Sequence, residues 1–132
     1  MNSYYSKRLI KEFLSAKNVG EIPDAYPIVE ISNPQCSVDS PPSPCLLKVY
    51  FKLRHFIVED VKFKLQGCVP AVAFLSVLTE KLKGKDLRRI LEEISKEDII
   101  AELEGIPENK LGCPIIGLSV VDMALKILSF NK

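Results

Sequence analysis

Residues 59–84 change hydrophobic period at a single dipeptide, and few chain geometries accommodate that change. Val61, Phe63 and Leu65 alternate with Lys62, Lys64 and Gln66, the pattern of a strand with one buried and one wet face. At Gly67-Cys68 the alternation stops. An unbroken apolar run from Ala71 to Leu78 follows and closes in Lys81-Leu82-Lys83-Gly84-Lys85, which predicts a buried helix with a basic end suited to its dipole. A strand therefore delivers Cys68 to the start of a helix. Unpaired N–H groups and the dipole at such a start favour thiolate over thiol, and thiolate is the form that binds metal or attacks sulfur.

Gly112-Cys113-Pro114 repeats the device. Ile115, Leu118, Val121, Leu125 and Leu128 recur at spacings of three and four and predict one face of a long helix. Pro114 suits its first turn, where a missing N–H is no loss. Two cysteines each preceded by glycine and closely followed by proline, both at helix starts, point to chemistry more than to packing.

Composition narrows what that chemistry serves. The chain has 132 residues, enough for one domain, 1–132, with a core that needs no disulfides. With 47% hydrophobic and 27% charged residues it has the profile of a folded protein. The net charge is +1, and no basic stripe interleaved with aromatics marks a nucleic-acid footprint. The longest apolar run falls short of a membrane span, and Met-Asn-Ser-Tyr-Tyr-Ser-Lys-Arg lacks the apolar core of a signal peptide, so the expected location is the cytoplasm. Thiols stay reduced there, and four cysteines read as metal ligands or reactive groups before they read as disulfides.

Taken in order, Ser6 is placed to cap a packing helix with Leu9, Ile10, Phe13 and Leu14 on one face, ended by Asn18-Val19-Gly20. Ile28, Val29 and Ile31 predict a short strand. Residues 32–44 form a loop rich in proline and serine that holds Cys36 and Asp39, with Cys45 at its far end. A thiolate and a carboxylate three residues apart can offer one ion a sulfur and an oxygen ligand. Leu47, Val49, Phe51 and Leu53 then face one way and Lys48, Tyr50 and Lys52 the other, which with residues 57–66 predicts an antiparallel hairpin. His55, the one histidine, falls in its turn and reads as solvated, which removes most support for mixed Cys/His zinc sites and for a nucleophile–base pair. Asp86 is expected to start a helix with Leu87, Ile90, Leu91 and Ile94, and Ser95 with Asp98 to cap another holding Ile99, Ile100 and Leu103. Helix, three strands, then three or four helices is an α+β order, with helices packed on one face of a small three-stranded antiparallel sheet. Any site joining Cys36, Asp39, Cys45, Cys68 and Cys113 is tertiary, because their spacing is too open for local knuckles.

These residues carry a resemblance. Tyr5-Ser6 through Asn18-Val19-Gly20, Val61 to Gly84 with Gly67-Cys68, Ser76 and Thr79-Glu80, Lys83-Gly84-Lys85, and Ile106 to Leu128 with Lys110 and Cys113 resemble the NifU/IscU family of iron–sulfur cluster assembly scaffolds, over nearly the whole chain. The resemblance implies a scaffold and not an enzyme: it takes sulfur from a cysteine desulfurase, takes iron, builds a [2Fe-2S] cluster on three cysteines assisted by an aspartate, and passes it to acceptor proteins. It also implies that zinc can occupy the same ligands in the isolated protein. Residue by residue, Cys68 and Cys113 match the second and third ligands, while Asn33-Pro34-Gln35-Cys36-Ser37-Val38-Asp39 looks like the family's Ala-Pro-x-Cys-Gly-Asp, making Cys36 the first ligand and Asp39 the carboxylate. With the gap placed differently, Cys45 falls near the aspartate position instead. Cys113, beside a glycine, is the candidate persulfide acceptor, and Cys36 is the alternative.

The chain also departs from the family. One residue is added between Cys36 and Asp39, Ser37 replaces a glycine, and Pro41-Pro42-Ser43-Pro44 is inserted. Gly112 stands where the family often has histidine, and the serine-rich stretch after the second cysteine is reduced to Ser76. The Leu-Pro-Pro-Val-Lys motif that recruits an Hsp70-type chaperone in part of the family reads Ile106-Pro107-Glu108-Asn109-Lys110, which keeps only the proline and lysine and leaves chaperone recruitment unsupported. An oxygen ligand in place of a fourth thiolate makes for an exchangeable cluster, as a donor needs. Two other classes stay open: a zinc-bound thiol protein that relays persulfide without building a cluster, and an interaction module in which the cysteines are incidental.

Overall fold

The computed structural model describes residues 5–33, 45–66, 69–106 and 112–130, of which 33, 45, 112–116 and 130 are described by their backbone alone. Alternation over residues 45–66 produces β2 (Cys45–Arg54) and β3 (Ile57–Gln66), which pair antiparallel. β1 (Ile28–Asn33) joins the other edge of β2, so the sheet order is β1-β2-β3. The register stacks Val29, Val49 and Phe63 in one inner row and Ile31, Leu47 and Leu65 in the next. The same register lines up Glu30, Lys48 and Lys64 on the outer face. His55 and Phe56 both take left-handed backbone, φ 50° and 72°, the geometry that lets a two-residue turn match the twist of its strands.

Helix α1 (Lys7–Leu14) precedes the sheet, and α2 (Val69–Leu82), α3 (Ile90–Glu93), α4 (Lys96–Glu102) and α5 (Gly112–Phe130) follow it. The fold is the expected α+β arrangement. Ser6 caps α1 by accepting from the Leu9 N–H at 2.9 Å. Ser95 and Asp98 form a reciprocal capping box at α4. Helix α2 is apolar all round because it is covered all round: Phe74, Leu75 and Leu78 are each at most 1% exposed. Its neighbours are α1, α4, α5 and β3.

The structure corrects four local expectations. Leu14 is 76% exposed, and the α1 face that packs is carried by Leu9 together with Glu12. Asp86 does not start a helix; its carboxylate binds Arg88, and α3 begins only at Ile90. Tyr50, on the outer face, is nevertheless buried, with the Lys48 ammonium 5.5 Å from its ring centre. In α5 the buried stripe is Gly117, Val120, Val121 and Ala124, while Leu118, Leu125 and Leu128 are half-buried. The reason is close approach, since a Cβ on Gly117 would lie 2.9 Å from Leu75 Cδ2. Small residues let α5 settle onto α2, and that turns the large ones aside.

Candidate functional site

The two ends of the sheet are built differently. At the hairpin end, Val58 N–H donates to Lys85 O at 2.9 Å, Gly84 N–H to Val58 O at 2.8 Å and Leu87 N–H to Phe56 O at 2.8 Å, so the chain leaving α2 is stitched onto β3. Arg88 covers the Phe56 ring at 4.5 Å. Leu128, near the end of α5, shares a small cavity with His55 and Phe56. Both long helices therefore finish at the hairpin end. With about 1.5 Å of rise per residue, α5 extends roughly 28 Å, close to the length of β2 at about 3.3 Å per residue. Gly117 meets Phe74, Leu75 and Leu78, so α2 and α5 lie side by side and, finishing together, run in the same direction.

At the other end Asn33 is the partner of Cys45, and Leu46 is the partner of Gln66. Helix α2 starts three residues beyond Gln66. The last residue of β1, the first of β2, the last of β3 and the starts of α2 and α5 are thus gathered at one end of the domain. Two helix N-termini directed to one place concentrate N–H donors and positive dipole ends, which favour thiolates there.

Cys36 and Asp39 lie in 34–44 and Cys68 in 67–68, all outside the described residues. Cys113 is the second residue of α5 and Cys45 the first of β2, each described by backbone alone. Among the described residues no group of three or more His, Cys, Asp or Glu side chains could hold a metal ion. His55 is at the hairpin, a full strand length from this end. The chaperone-motif residues 107–110 are outside the described residues as well.

A groove of about 670 Å³ opens at the cysteine-bearing end, with Glu30, Ser32, Leu46, Lys48, Lys64 and Gln66 on its walls. Lys48 meets Glu30 at 3.4 Å, and Lys64 meets Glu21. A hydrogen bond from Lys48 to Glu30 raises the lysine's pKa, and the Lys64 hydrogen bond holds Glu21 below the ordinary carboxylate range.

A polar cluster between α1 and α2 escapes the hydrophobic pattern of the sequence. Glu12 is 2% exposed and accepts hydrogen bonds from Ser76 Oγ, from Arg8 Nη1 at 2.7 Å and from Lys17 Nζ at 3.1 Å. Burial pushes its pKa up, but the bonds from Ser76, Arg8 and Lys17 together with the Lys17 charge outweigh that and hold it below the ordinary value of 4.5. A carboxylate three residues after Leu9 and adjacent to Phe13 is the one signal the sequence offers, because that spacing places it on the packed face.

Comparison with known proteins decides the kinship. The family described as NifU-like N terminal domain matches residues 4–131. The chain belongs to this family. The NifU-like chain is 33% identical over 126 residues to the iron–sulfur cluster assembly scaffold protein IscU of Aquifex aeolicus, covering 96% of this chain and 76% of that one. It is 32% identical over 130 residues to the iron sulfur cluster assembly protein 1 of Encephalitozoon cuniculi, covering 97% and 89%. Among solved structures, a NifU-like protein of Brucella abortus superposes with a TM-score of 0.74 at 15% identity, covering 98% of this chain and 96% of that one. At that identity the superposition speaks for the fold alone, and it is the fold described above.

Proposed function

We propose that the NifU-like chain is an iron–sulfur cluster assembly scaffold and not an enzyme in its own right. Iron and sulfide are its cargo. Cys36, Cys68 and Cys113 hold them as thiolates, Asp39 supplies the exchangeable oxygen ligand, and the assembled [2Fe-2S] unit passes to acceptor proteins. The observation that carries the reading is the convergence of chain ends: the segment after β1, the junction between β3 and α2, and the start of α5 all issue from one end of the sheet. Kinship supports it, since the relatives that match over nearly the whole chain carry cluster assembly in their names.

Sulfur would come from a cysteine desulfurase as a persulfide on Cys113 or Cys36. Each sulfane sulfur must gain two electrons to become bridging sulfide, so a reductant from outside the chain takes part. The work belongs in the cytoplasm, where thiols stay reduced. No helix among the described residues is long and apolar enough to cross a membrane.

Anaerobic reconstitution with ferrous iron, cysteine, a cysteine desulfurase and dithiothreitol tests the reading. The expected product is a visible-absorbing [2Fe-2S] species, lost in Cys36→Ala, Cys68→Ala and Cys113→Ala and kept in Cys45→Ala. Zinc and persulfide without a chromophore would replace the scaffold by a sulfur relay. Loss in Cys45→Ala but not in Cys36→Ala would move the first ligand to Cys45.

A further inference from the structure

Residues 17–20 are bonded to two elements at once. On one side Phe63 N–H donates to Asn18 O at 2.8 Å and Gly20 N–H donates to Phe63 O at 2.9 Å, so the segment caps the outer edge of β3. On the other side Lys17 N–H donates to Ser76 Oγ at 2.8 Å, while Asn18 Nδ2 donates to Thr79 Oγ1 at 3.0 Å and to Glu80 Oε1 at 3.1 Å, which ties it to α2. β3 and α2 are the elements that flank Gly67-Cys68 in the chain. One short segment therefore grips both the strand that leads into Cys68 and the helix that leads out.

Glu12 holds that segment in place. Its carboxylate accepts from Ser76 Oγ, which in turn accepts from the Lys17 N–H, and it pairs with the Lys17 ammonium. Arg8 reaches it from its own helix and also meets Glu102 of α4 at 3.8 Å, which Lys81 of α2 binds at 3.0 Å. With both oxygens engaged and 2% exposure, Glu12 is a fixed point and not a solvated charge.

We infer that Glu12 is a positioning residue that, through residues 17–20, fixes the angle between β3 and α2 and hence the seat of the Cys68 ligand. The inference rests on reading Cys68 as a ligand of the cargo. Glu12 touches no cargo; it acts by holding β3 and α2 to residues 17–20, so that ligand geometry is set before iron arrives.

Cobalt(II), which takes zinc-type sites and absorbs through thiolate charge transfer, is the probe, read alongside hydrogen exchange at the Gly20 and Phe63 amides. Glu12→Gln and Ser76→Ala are expected to weaken cobalt binding about tenfold, the low end of what losing a ligand-orienting partner costs. They should also speed exchange at those two amides. Ile90→Ala, a buried side chain of α3 outside these bonds, is the control: it should lower stability and leave cobalt affinity unchanged. Unchanged affinity in Glu12→Gln, or an equal loss in Ile90→Ala, would overturn the inference. A wild-type chain that takes no cobalt on thiolates would instead overturn the scaffold reading. Exchange at Gly20 and Phe63 would still decide the clamp, with unaltered rates in Glu12→Gln sinking it.

Discussion

Helices α1 and α2 lie against each other and are held by opposite means. Helix α2 is seated by volume: Ala73, Phe74, Leu75 and Leu78 are all but fully buried, and α5 fits onto it through Gly117. Helix α1 buries Leu9 completely, rests Phe13 against the core and is otherwise held by named polar bonds, from Ser6 at its cap to Glu12 on its inner face. Apolar seats resist change in pH and salt but not change in size, whereas polar seats behave the other way. The NifU-like domain thus puts a size-sensitive helix after Cys68 and a charge-sensitive helix behind the segment that clamps it.

Four changes would sharpen or break this contrast. Phe74→Ala should cost the most, about 3–5 kcal/mol of unfolding free energy in urea, because a fully buried ring leaves a cavity. A cost near 1 kcal/mol would show that α2 can collapse into the space and is not volume-seated. Gly117→Ala adds a methyl 2.9 Å from Leu75 Cδ2 and should cost about 1–3 kcal/mol by the same measurement, since a buried neighbour must yield.

Glu12→Gln should cost about 1–3 kcal/mol at neutral pH, because a buried set of donors loses its charged acceptor. Its pH dependence is more telling. The folded pKa of Glu12 lies below its ordinary 4.5, so the stability it confers is complete above that value and drains away as pH falls through the lowered one. Thermal unfolding between pH 7 and pH 3 should show a steeper acid limb in the wild type than in Glu12→Gln. Parallel limbs would mean that other carboxylates govern acid unfolding; Asp86, held at about 2 by Arg88, is the first to check. Ser6→Ala should have the smallest effect, about 1 kcal/mol, as the loss of one helix cap and of the hydroxyl's bond to Leu103 O, with early exchange at α1 and at the end of α4.

Much of the fold is legible in the residues themselves. The period-two runs in β2 and β3, the abrupt change at Gly67-Cys68 and the Ser95 capping box are local patterns, written within a few residues of where they act. The placement of Cys113 in the first turn of a helix is local too. In α5, however, the exposed stripe Ser119, Asp122, Lys126 and Ser129 marks the wet side and the small residues opposite it turn inward, so the largest side chains prove the wrong guide.

Element order, the α+β class and the residue types offered to a metal follow from the chain's own text, because propensity, capping and hydrophobic period are properties of neighbours along it. Packing was needed to make α2 and α5 run the same way, so that both starts meet the same end of the sheet. It also turned Glu12 from a helix-surface acid into a buried anchor and made residues 17–20 a bridge between β3 and α2. Those outcomes join groups as far apart as Glu12 and Ser76, and distance along a chain carries no information about contact until the tertiary fold closes it.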